Sequence, residues 1–175
     1  FPKDVTALRQ YGRTCGVPTP MLDAVLTINA RRPGEVIALA DAIVGGLRGK
    51  RVAMLGLTFK SDTDDLRESP ALALVRLLAE AGAQVHAYDP LYARAGSLPG
   101  LPATLESSLR NVVAGADLAV VGTGWAEFRE ANWTDLAARM RKPVLLDARN
   151  CLRDTALPAL LQYYPIGRAV SGLEI

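Results

Sequence analysis

Two cationic side chains, Lys60 and Arg67, lie in the segment that follows an apolar run ending at Gly56. An ammonium and a guanidinium at the carboxyl end of a parallel strand suit a phosphate or carbonyl group of a ligand. The segment lacks the G-x-G-x-x-G pattern of a dinucleotide site. A phosphate bound here would therefore be met by side chains more than by backbone amides.

The same two cations also have a purely structural interpretation. Lys60 could pair at the surface with Asp62 or Asp64, and spacing alone favours that pairing. Arg67 stands between acidic residues and could hold its own loop by an ion pair. Both interpretations remain open from the spacing of the charges.

Two further side chains could contribute to binding. Arg149 follows a later apolar run and could fork onto phosphate or sugar oxygens. Trp125 could stack on a base, although such an aromatic is more often part of the core. Asp89 lies 33 residues after Gly56 rather than about 20. We therefore interpret Asp89 as a turn residue rather than a ribose ligand, and His86 is given no role.

Alternating strand and helix patterns from residue 50 onward predict the framework that positions these residues. Strands are predicted at Arg51–Gly56, Gln84–Tyr88, Leu118–Gly122, Pro143–Asp147 and Tyr163–Gly167. Helices are predicted at Ser69–Ala81, Glu106–Ala114, Trp133–Met140 and Thr155–Gln162, with Ser69 as an N-cap and residues 91–105 as a loop. Apolar strands separated by amphipathic helices predict an α/β fold, a Rossmann-like, doubly wound parallel sheet.

Two helices are predicted ahead of the sheet. Residues 4–14 form the first, with Asp4 as a possible N-cap, and Met21–Leu47 forms the second, which Pro33 should kink or restart. The predicted domains are therefore a helical region, 1–49, and an α/β domain, 50–175. The apolar residues of Met21–Leu47 exceed what one sheet can cover, which predicts a homodimer through this helix.

Composition excludes several functional classes. The chain has 20 Lys and Arg against 18 Asp and Glu, and the basic residues are scattered, so a nucleic-acid partner is not expected. One histidine and two distant cysteines make a metal site unexpected. Cys15 and Cys151 are interpreted as core or half-buried thiols in a reducing cytoplasm. No apolar run reaches the roughly 20 residues of a membrane span.

Five motifs follow one another along nearly the whole chain. They are FPKD at 1–4, GLTFK with DDLRESP at 56–70, TGWAEF at 123–128, LLDARN at 145–150 and YYPIGR at 163–168. Each is weak alone, but in this order they resemble the UDP-glucose/GDP-mannose dehydrogenase family. The resemblance implies the third, UDP-binding domain of that family together with its central helix.

The resemblance also implies roles for individual residues. Phe59, Lys60 and Arg149 would contact the UDP part of a UDP-sugar substrate. The cofactor of the family is NAD, and the resemblance implies that Arg67 reaches its pyrophosphate.

The FPKD motif adds two more residues to the implied site. Lys3 would lie on the cofactor side of the cleft. Asp4 would lie beside the nucleophilic cysteine, where it can orient or deprotonate a water.

Members of this family oxidise a sugar primary alcohol to a carboxylate in two hydride transfers to NAD, through cysteine-bound intermediates. The resemblance implies that this cysteine precedes Phe1, so we expect the chain to be the C-terminal part of such an enzyme and inactive by itself. FPKD favours UDP-glucose over GDP-mannose as substrate, and disfavours UDP-N-acetylmannosamine more strongly. A non-enzymatic nucleotide-binding or dimerisation module of the same fold remains the alternative.

Overall fold

A parallel β-sheet is the framework of the protein. The computed structural model describes residues 2–95 and 97–167, and within them the sheet has six strands in the order β3-β2-β1-β4-β5-β6. The strands are β1 Arg51–Leu55, β2 Gln84–Tyr88, β3 Thr104–Leu105, β4 Leu118–Val121, β5 Val144–Asp147 and β6 Gln162–Pro165. Every pairing is parallel, which confirms the predicted Rossmann-like fold class.

The helices of the described residues are α1 Pro2–Thr14, α2 Pro20–Val44, α3 Pro70–Glu80, α4 Leu109–Val113, α5 Ala126–Glu130 and α6 Trp133–Arg139. Two apolar clusters cover the two faces of the sheet. One joins Val52 and Met54 of β1 to α3 and to the last turns of α2. The other joins Ala53 and Leu55 to the helices α4 to α6. Successive side chains along β1 therefore pack into the cores on opposite faces of the sheet, as a doubly wound sheet requires.

The chain divides into two compact units, Phe1–Glu35 and Val36–Ile175, and the boundary falls within α2. In the first unit, Arg9 of α1 pairs with Asp23 of α2 at 3.5 Å. The last turns of α2 belong to the second unit because they carry buried apolar residues of its core. The domain division at 49/50 stays a prediction.

The predicted helix at Thr155–Gln162 is wrong. Residues 155–161 form turns and irregular structure, and Gln162 begins β6. Pro158 explains the difference, because proline has no backbone N–H and disfavours helical geometry in the residue before it. The carbonyl of Pro158 instead accepts a turn hydrogen bond from Leu161 N at 2.9 Å.

Three other segments differ from the predicted boundaries. The loop predicted at 91–105 contains the short edge strand β3, which the pattern of so few residues could not indicate. The helix α5 lies within the TGWAEF motif and was not predicted. The helix predicted from Glu106 begins only at Leu109, because the hydroxyl of Ser108 accepts a capping bond from Asn111 N at 3.2 Å.

The predicted N-cap at Asp4 is wrong, and the one at Ser69 is confirmed in position but not in its bond. Asp4 lies in the first turn of α1, which begins at Pro2. Ser69 occupies the N-cap position of α3, but its hydroxyl makes no capping bond and donates to Leu57 O at 2.7 Å. The helix α2 continues through Pro33 without a restart.

Candidate functional site

The turn after β1 is held against the turn after β4. Gly56 has a φ of 86°, a left-handed conformation that favours glycine. A Cβ atom at this position would lie 2.6 Å from Thr123 Cβ and 2.8 Å from Thr123 N. The close approach places the loop that carries Phe59 and Lys60 at the carboxyl edge of the sheet, where open α/β folds bind ligands.

Every polar atom of the dipeptide Leu57–Thr58 forms a hydrogen bond. Asp89 Oδ2 accepts from Leu57 N at 2.8 Å, from Thr58 N at 3.2 Å and from Thr58 Oγ1 at 3.3 Å. The carbonyl of Leu57 accepts from Ser69, and that of Thr58 accepts from Thr123 Oγ1 at 2.6 Å. These two residues are therefore fixed directly before Phe59 and Lys60.

Asp89 does more than the sequence indicated. Its Oδ1 accepts from Leu91 N at 3.1 Å, which confirms the predicted turn. The side chain is also fully buried, and its other oxygen bonds the end of β1 and the indole of Trp125. The one sequence signal for this role is that Asp89 directly follows β2, the strand that pairs with β1.

Lys60 carries an exposed ammonium at this edge. Within residues 2–95 and 97–167, no carboxylate forms an ion pair with it, so the structure does not support the surface pairing with Asp62 or Asp64. The contact that involves Lys60 is a loop bond in which Thr63 Oγ1 donates to its carbonyl at 3.1 Å. The ammonium is thus available to a ligand.

Phe59 is half-buried in the same loop. Its backbone N–H donates to Asp65 O at 2.8 Å, which closes the loop between them. Because that amide already donates a hydrogen bond within the protein, a ligand would contact the ring or the carbonyl of Phe59.

Arg67 forms a forked ion pair with Asp65. Its Nε and NH2 atoms donate to the two carboxylate oxygens, each at 3.0 Å. The hydrogen bond to Asp65, followed by the charge attraction, raises the pKa of Arg67. Arg67 thus holds its own loop by an ion pair, as the structural interpretation of this residue predicted. A role at a phosphate stays a prediction, and the guanidinium donors that Asp65 does not accept from would serve it.

Arg149 lies at the same edge, in the turn after β5. Its backbone N–H donates to Asp147 Oδ1 at 3.0 Å, and its side chain is exposed. Asp147 is fully buried and also accepts from Leu152 N and from the hydroxyl of Tyr163, each at 2.9 Å. Only β4 separates β5 from β1, so the turns that carry Arg149 and Lys60 start about 10 Å apart.

Left-handed backbone is concentrated in these turns. Among residues 2–95 and 97–167, the non-glycine residues with positive φ are Asp62, Glu68 and Asn150, at 62°, 55° and 54°. The first two belong to the β1–α3 loop and the third follows Arg149. Such conformations persist where surrounding contacts impose them, and they cluster at functional sites.

Lys3 and Asp4 lie in the first turn of α1, in the other compact unit, and both are exposed. Their implied roles stay predictions. Phe1 and Arg168, which belong to the first and last motifs, lie outside the described residues.

Trp125 is part of the core. It is buried, and its indole Nε1 donates to Asp89 Oδ2 at 3.1 Å. The alternative in which this ring stacks on a base is wrong, because the ring faces the protein interior.

His86 has partners that the sequence could not reveal. Its Nε2 lies 2.6 Å from Arg51 NH1, and its Nδ1 lies 2.7 Å from Glu106 Oε1. Because arginine only donates, Nε2 must accept and Nδ1–H must donate to Glu106. The cluster ties Glu106, the residue directly after β3, to β1 and β2.

A surface pocket of about 300 Å³ opens among α4, α5 and α6. Its polar lining includes Glu127, Glu130 and Asp135 against the single cation Arg110. Excess negative charge disfavours a phosphate ligand there, and none of the predicted site residues lines it. The carboxyl edge therefore remains the candidate nucleotide site.

The two cysteines differ in their surroundings. Cys15 is exposed rather than buried, and Cys151 is half-buried. Burial, followed by the charge of Asp147, raises the pKa of Cys151 to about 11. A thiol with that pKa is a weak nucleophile near neutral pH, because the thiolate is the reactive form.

We therefore expect iodoacetamide at pH 8 to alkylate Cys15 first, with Cys151 reacting at least about tenfold more slowly. About one Cys151 thiol in a thousand would be ionised at that pH. Mass spectrometry of peptides over time measures both rates, and Cys15→Ser isolates the slower one. Equal rates in the folded chain would contradict the burial of Cys151.

The described residues do not form a cradle for the pyrophosphate of NAD, the cofactor that the resemblance implies. The space beside Gly56 is filled by Thr123, and residues 57–69 contain no further glycine. In the parts of the chain that the structure describes, no three His, Cys, Asp or Glu side chains are grouped to hold a metal ion. No helix there is both long and apolar enough to cross a membrane.

Comparisons with known proteins agree with this geometry. Residues 53–154 match the UDP binding domain of the UDP-glucose/GDP-mannose dehydrogenase family. A UDP-glucose 6-dehydrogenase from Rickettsia conorii is 32% identical over 179 residues, covering 97% of this chain and 40% of its own. The chain thus spans about two-fifths of the length of that relative.

Solved structures give the same result. A UDP-glucose dehydrogenase from Pyrobaculum islandicum superposes with a TM-score of 0.77 at 29% identity, covering 97% of this chain and 37% of its own. A UDP-D-ManNAc dehydrogenase from Pyrococcus horikoshii also gives 0.77 at 29% identity, covering 95% and 37%. With its matched domain, its motifs in order and the loops that they build, the chain belongs to the UDP-glucose/GDP-mannose dehydrogenase family.

Proposed function

We propose that the second compact unit binds the UDP part of a nucleotide sugar at the carboxyl edge of its sheet. The observation that carries this proposal is the exposed ammonium of Lys60, which has no ion-pair partner among the described residues, on a loop held by buried hydrogen bonds. Arg149 on the turn after β5 supplies a second cation, and the half-buried ring of Phe59 supplies an apolar surface. These three residues are the proposed substrate contacts.

We further propose that this site serves an NAD-dependent oxidation of UDP-glucose to UDP-glucuronate. The relative from Rickettsia conorii bears the name of that activity, and FPKD favours the same substrate. Within this proposal Asp4 lies beside the nucleophilic cysteine and orients or deprotonates a water, and Lys3 and Arg67 approach NAD. Free thiols such as Cys15 fit a reducing cytoplasm.

A different UDP-linked sugar is the alternative substrate. The UDP-D-ManNAc dehydrogenase superposes with the same TM-score as the UDP-glucose dehydrogenase. The proposed contacts bind the shared UDP part and leave the choice of sugar to other residues.

The test is an NMR titration of the 175-residue chain with UDP, followed through backbone amides. We expect shifts at Phe59, Lys60 and Arg149, with a dissociation constant in the high micromolar range or weaker, or about 4–6 kcal/mol. Uridine, which lacks the phosphates, is the control and should bind more weakly. Undetectable shifts at millimolar UDP would contradict the proposal.

Catalysis by this chain alone is not expected. It has no G-x-G-x-x-G motif to hold NAD, and Cys151 is a poor nucleophile. Incubation with UDP-glucose and NAD should therefore give no absorbance of NADH above background. Turnover would show that the residues described here are sufficient for the reaction.

We also propose a homodimer through the first helices. Large apolar side chains of the first unit remain exposed, among them Tyr11, Met21 and Ile28 at 69%, 78% and 51%. Met21, Val25 and Ile28 share one face of α2 by their spacing, and an exposed apolar helix face is typical of an interface. A second copy of the same helices, predicted from Met21–Leu47, is the proposed partner.

We expect Met21→Lys to shift the chain from dimer to monomer, because a buried unpaired ammonium is unfavourable in an apolar interface. Multi-angle light scattering across a concentration series measures the mass. Leu160→Lys, at an equally apolar exposed residue of the second unit, should leave the dimer intact. A strict monomer for the unmodified chain at high concentration would disprove the proposed dimer.

A further inference from the structure

We propose that Asp89 is the positioning residue that fixes Phe59 and Lys60 for the nucleotide. This inference rests on the proposed UDP site. Asp89 touches neither of the two residues, but it bonds both backbone amides of the dipeptide directly before them, Leu57 and Thr58. Asp89, directly after β2, thereby fixes the direction in which the chain leaves β1.

The burial of this carboxylate is the first reason to assign it a specific task. Asp89 has no exposed surface, and moving a carboxylate out of water is unfavourable unless hydrogen bonds compensate it. Here the compensation comes from five donors in three segments of the chain. An apolar residue here would leave these buried donors without an acceptor, so the carboxylate and the geometry of the loop depend on each other.

The choice of a carboxylate rather than an amide is the second reason. Oδ2 accepts from two backbone amides, a hydroxyl and an indole, while Oδ1 accepts from Leu91 N. Each of these groups is a donor toward Asp89. An asparagine of the same shape would turn its NH2 group toward donors on one of the two sides, and at least one contact would become repulsive.

The third reason is that the network joins two of the sequence motifs. Trp125 of TGWAEF donates to the same oxygen that holds the dipeptide before Phe59 and Lys60. Thr123, from the same motif, donates to Thr58 O. The end of β4 and the end of β1 thus share one buried anchor, and a change in that anchor reaches the ligand-facing loop.

The experiment compares Asp89→Asn with Asp117→Asn in the 175-residue chain. Asp117 is equally buried, but it lies at the amino edge of the same sheet, where it accepts from Arg51 N at 2.9 Å. Both variants place an amide in a carboxylate site. We expect Asp89→Asn to weaken UDP binding at least about tenfold and Asp117→Asn to change it less than twofold.

Two further readouts do not depend on UDP. Amide hydrogen exchange at Leu57 and Thr58 should accelerate in Asp89→Asn relative to the global unfolding rate, and stay unchanged in Asp117→Asn. The indole N–H resonance of Trp125 should move, whereas that of Trp133, which donates to Phe128 O, should not.

A milder pair of variants covers the case in which Asp89→Asn does not fold. Thr58→Val removes the hydroxyl bond to Asp89, and Thr58→Ser keeps it. We expect about threefold weaker UDP binding for the valine variant and recovery in the serine variant.

The outcomes separate this inference from the proposed function. If the unmodified chain shows no UDP shifts, the UDP site is wrong, and local hydrogen exchange alone decides whether Asp89 holds the loop. Unchanged exchange at Leu57 and Thr58 in Asp89→Asn would overturn the inference. So would equal effects of Asp89→Asn and Asp117→Asn on UDP affinity, since these would report loss of stability only.

Discussion

Replacing Gly56 by alanine is expected to lower the free energy of unfolding by about 2–5 kcal/mol. The left-handed conformation, with a φ of 86°, accounts for about 1–2 kcal/mol once a Cβ is present. The remainder comes from contact of that Cβ with Thr123, at 2.6 Å from its Cβ and 2.8 Å from its backbone nitrogen. Backbone atoms cannot move aside as a flexible side chain can. Urea denaturation followed by circular dichroism measures the change.

Gly49→Ala is the matched control for Gly56→Ala. Gly49 also has a positive φ, 73°, but a Cβ there would meet no atom within 4 Å. It should therefore show only the conformational part, about 1–2 kcal/mol. Equal losses in the two variants would mean that the approach of Gly56 to Thr123 does not constrain the loop.

Lys60→Ala is expected to weaken UDP binding by about 10- to 150-fold. The loss of one charge-assisted contact corresponds to about 1.5–3 kcal/mol. The side chain is exposed and forms no ion pair within the described residues, so the variant should fold as stably as the parent, within about 0.5 kcal/mol. Calorimetric titration with UDP measures the affinity, and thermal unfolding checks the fold.

Arg67→Ala is the control for Lys60→Ala. Its guanidinium is engaged by Asp65, so its loss should leave UDP affinity almost unchanged. In a full-length enzyme we expect Lys60→Ala to raise the KM for the UDP-sugar and Arg67→Ala to act mainly on NAD. If Lys60→Ala left UDP binding intact and weakened NAD, the two cations would have been assigned in the wrong order.

The sheet was predictable because each long strand has a strong local signal. The second strand, Gln84–Tyr88, has the predicted bounds, since buried β-branched and aromatic residues stand between clear turn residues. The strand β3 has only two residues, and its pairing with β2 depends on contacts that are remote in sequence. The helix predicted at Thr155–Gln162 does not form, because the effect of Pro158 on the backbone outweighs the apolar pattern.

The candidate site was predictable only in part. Motif positions indicated Lys60 and Arg149, and the structure places both at the carboxyl edge of the sheet. The fork between Arg67 and Asp65 could be anticipated from their spacing of two residues. The bonds from Asp89 to the end of β1 could not, because they join positions 31 and 32 residues apart and depend on strand order.

The three left-handed residues Asp62, Glu68 and Asn150 give the ligand-facing turns an unusual mechanical property. Each holds a conformation disfavoured by about 1 kcal/mol or more, so it relaxes once its restraints weaken. Local backbone preference therefore does not hold these turns in shape, and the surrounding contacts do.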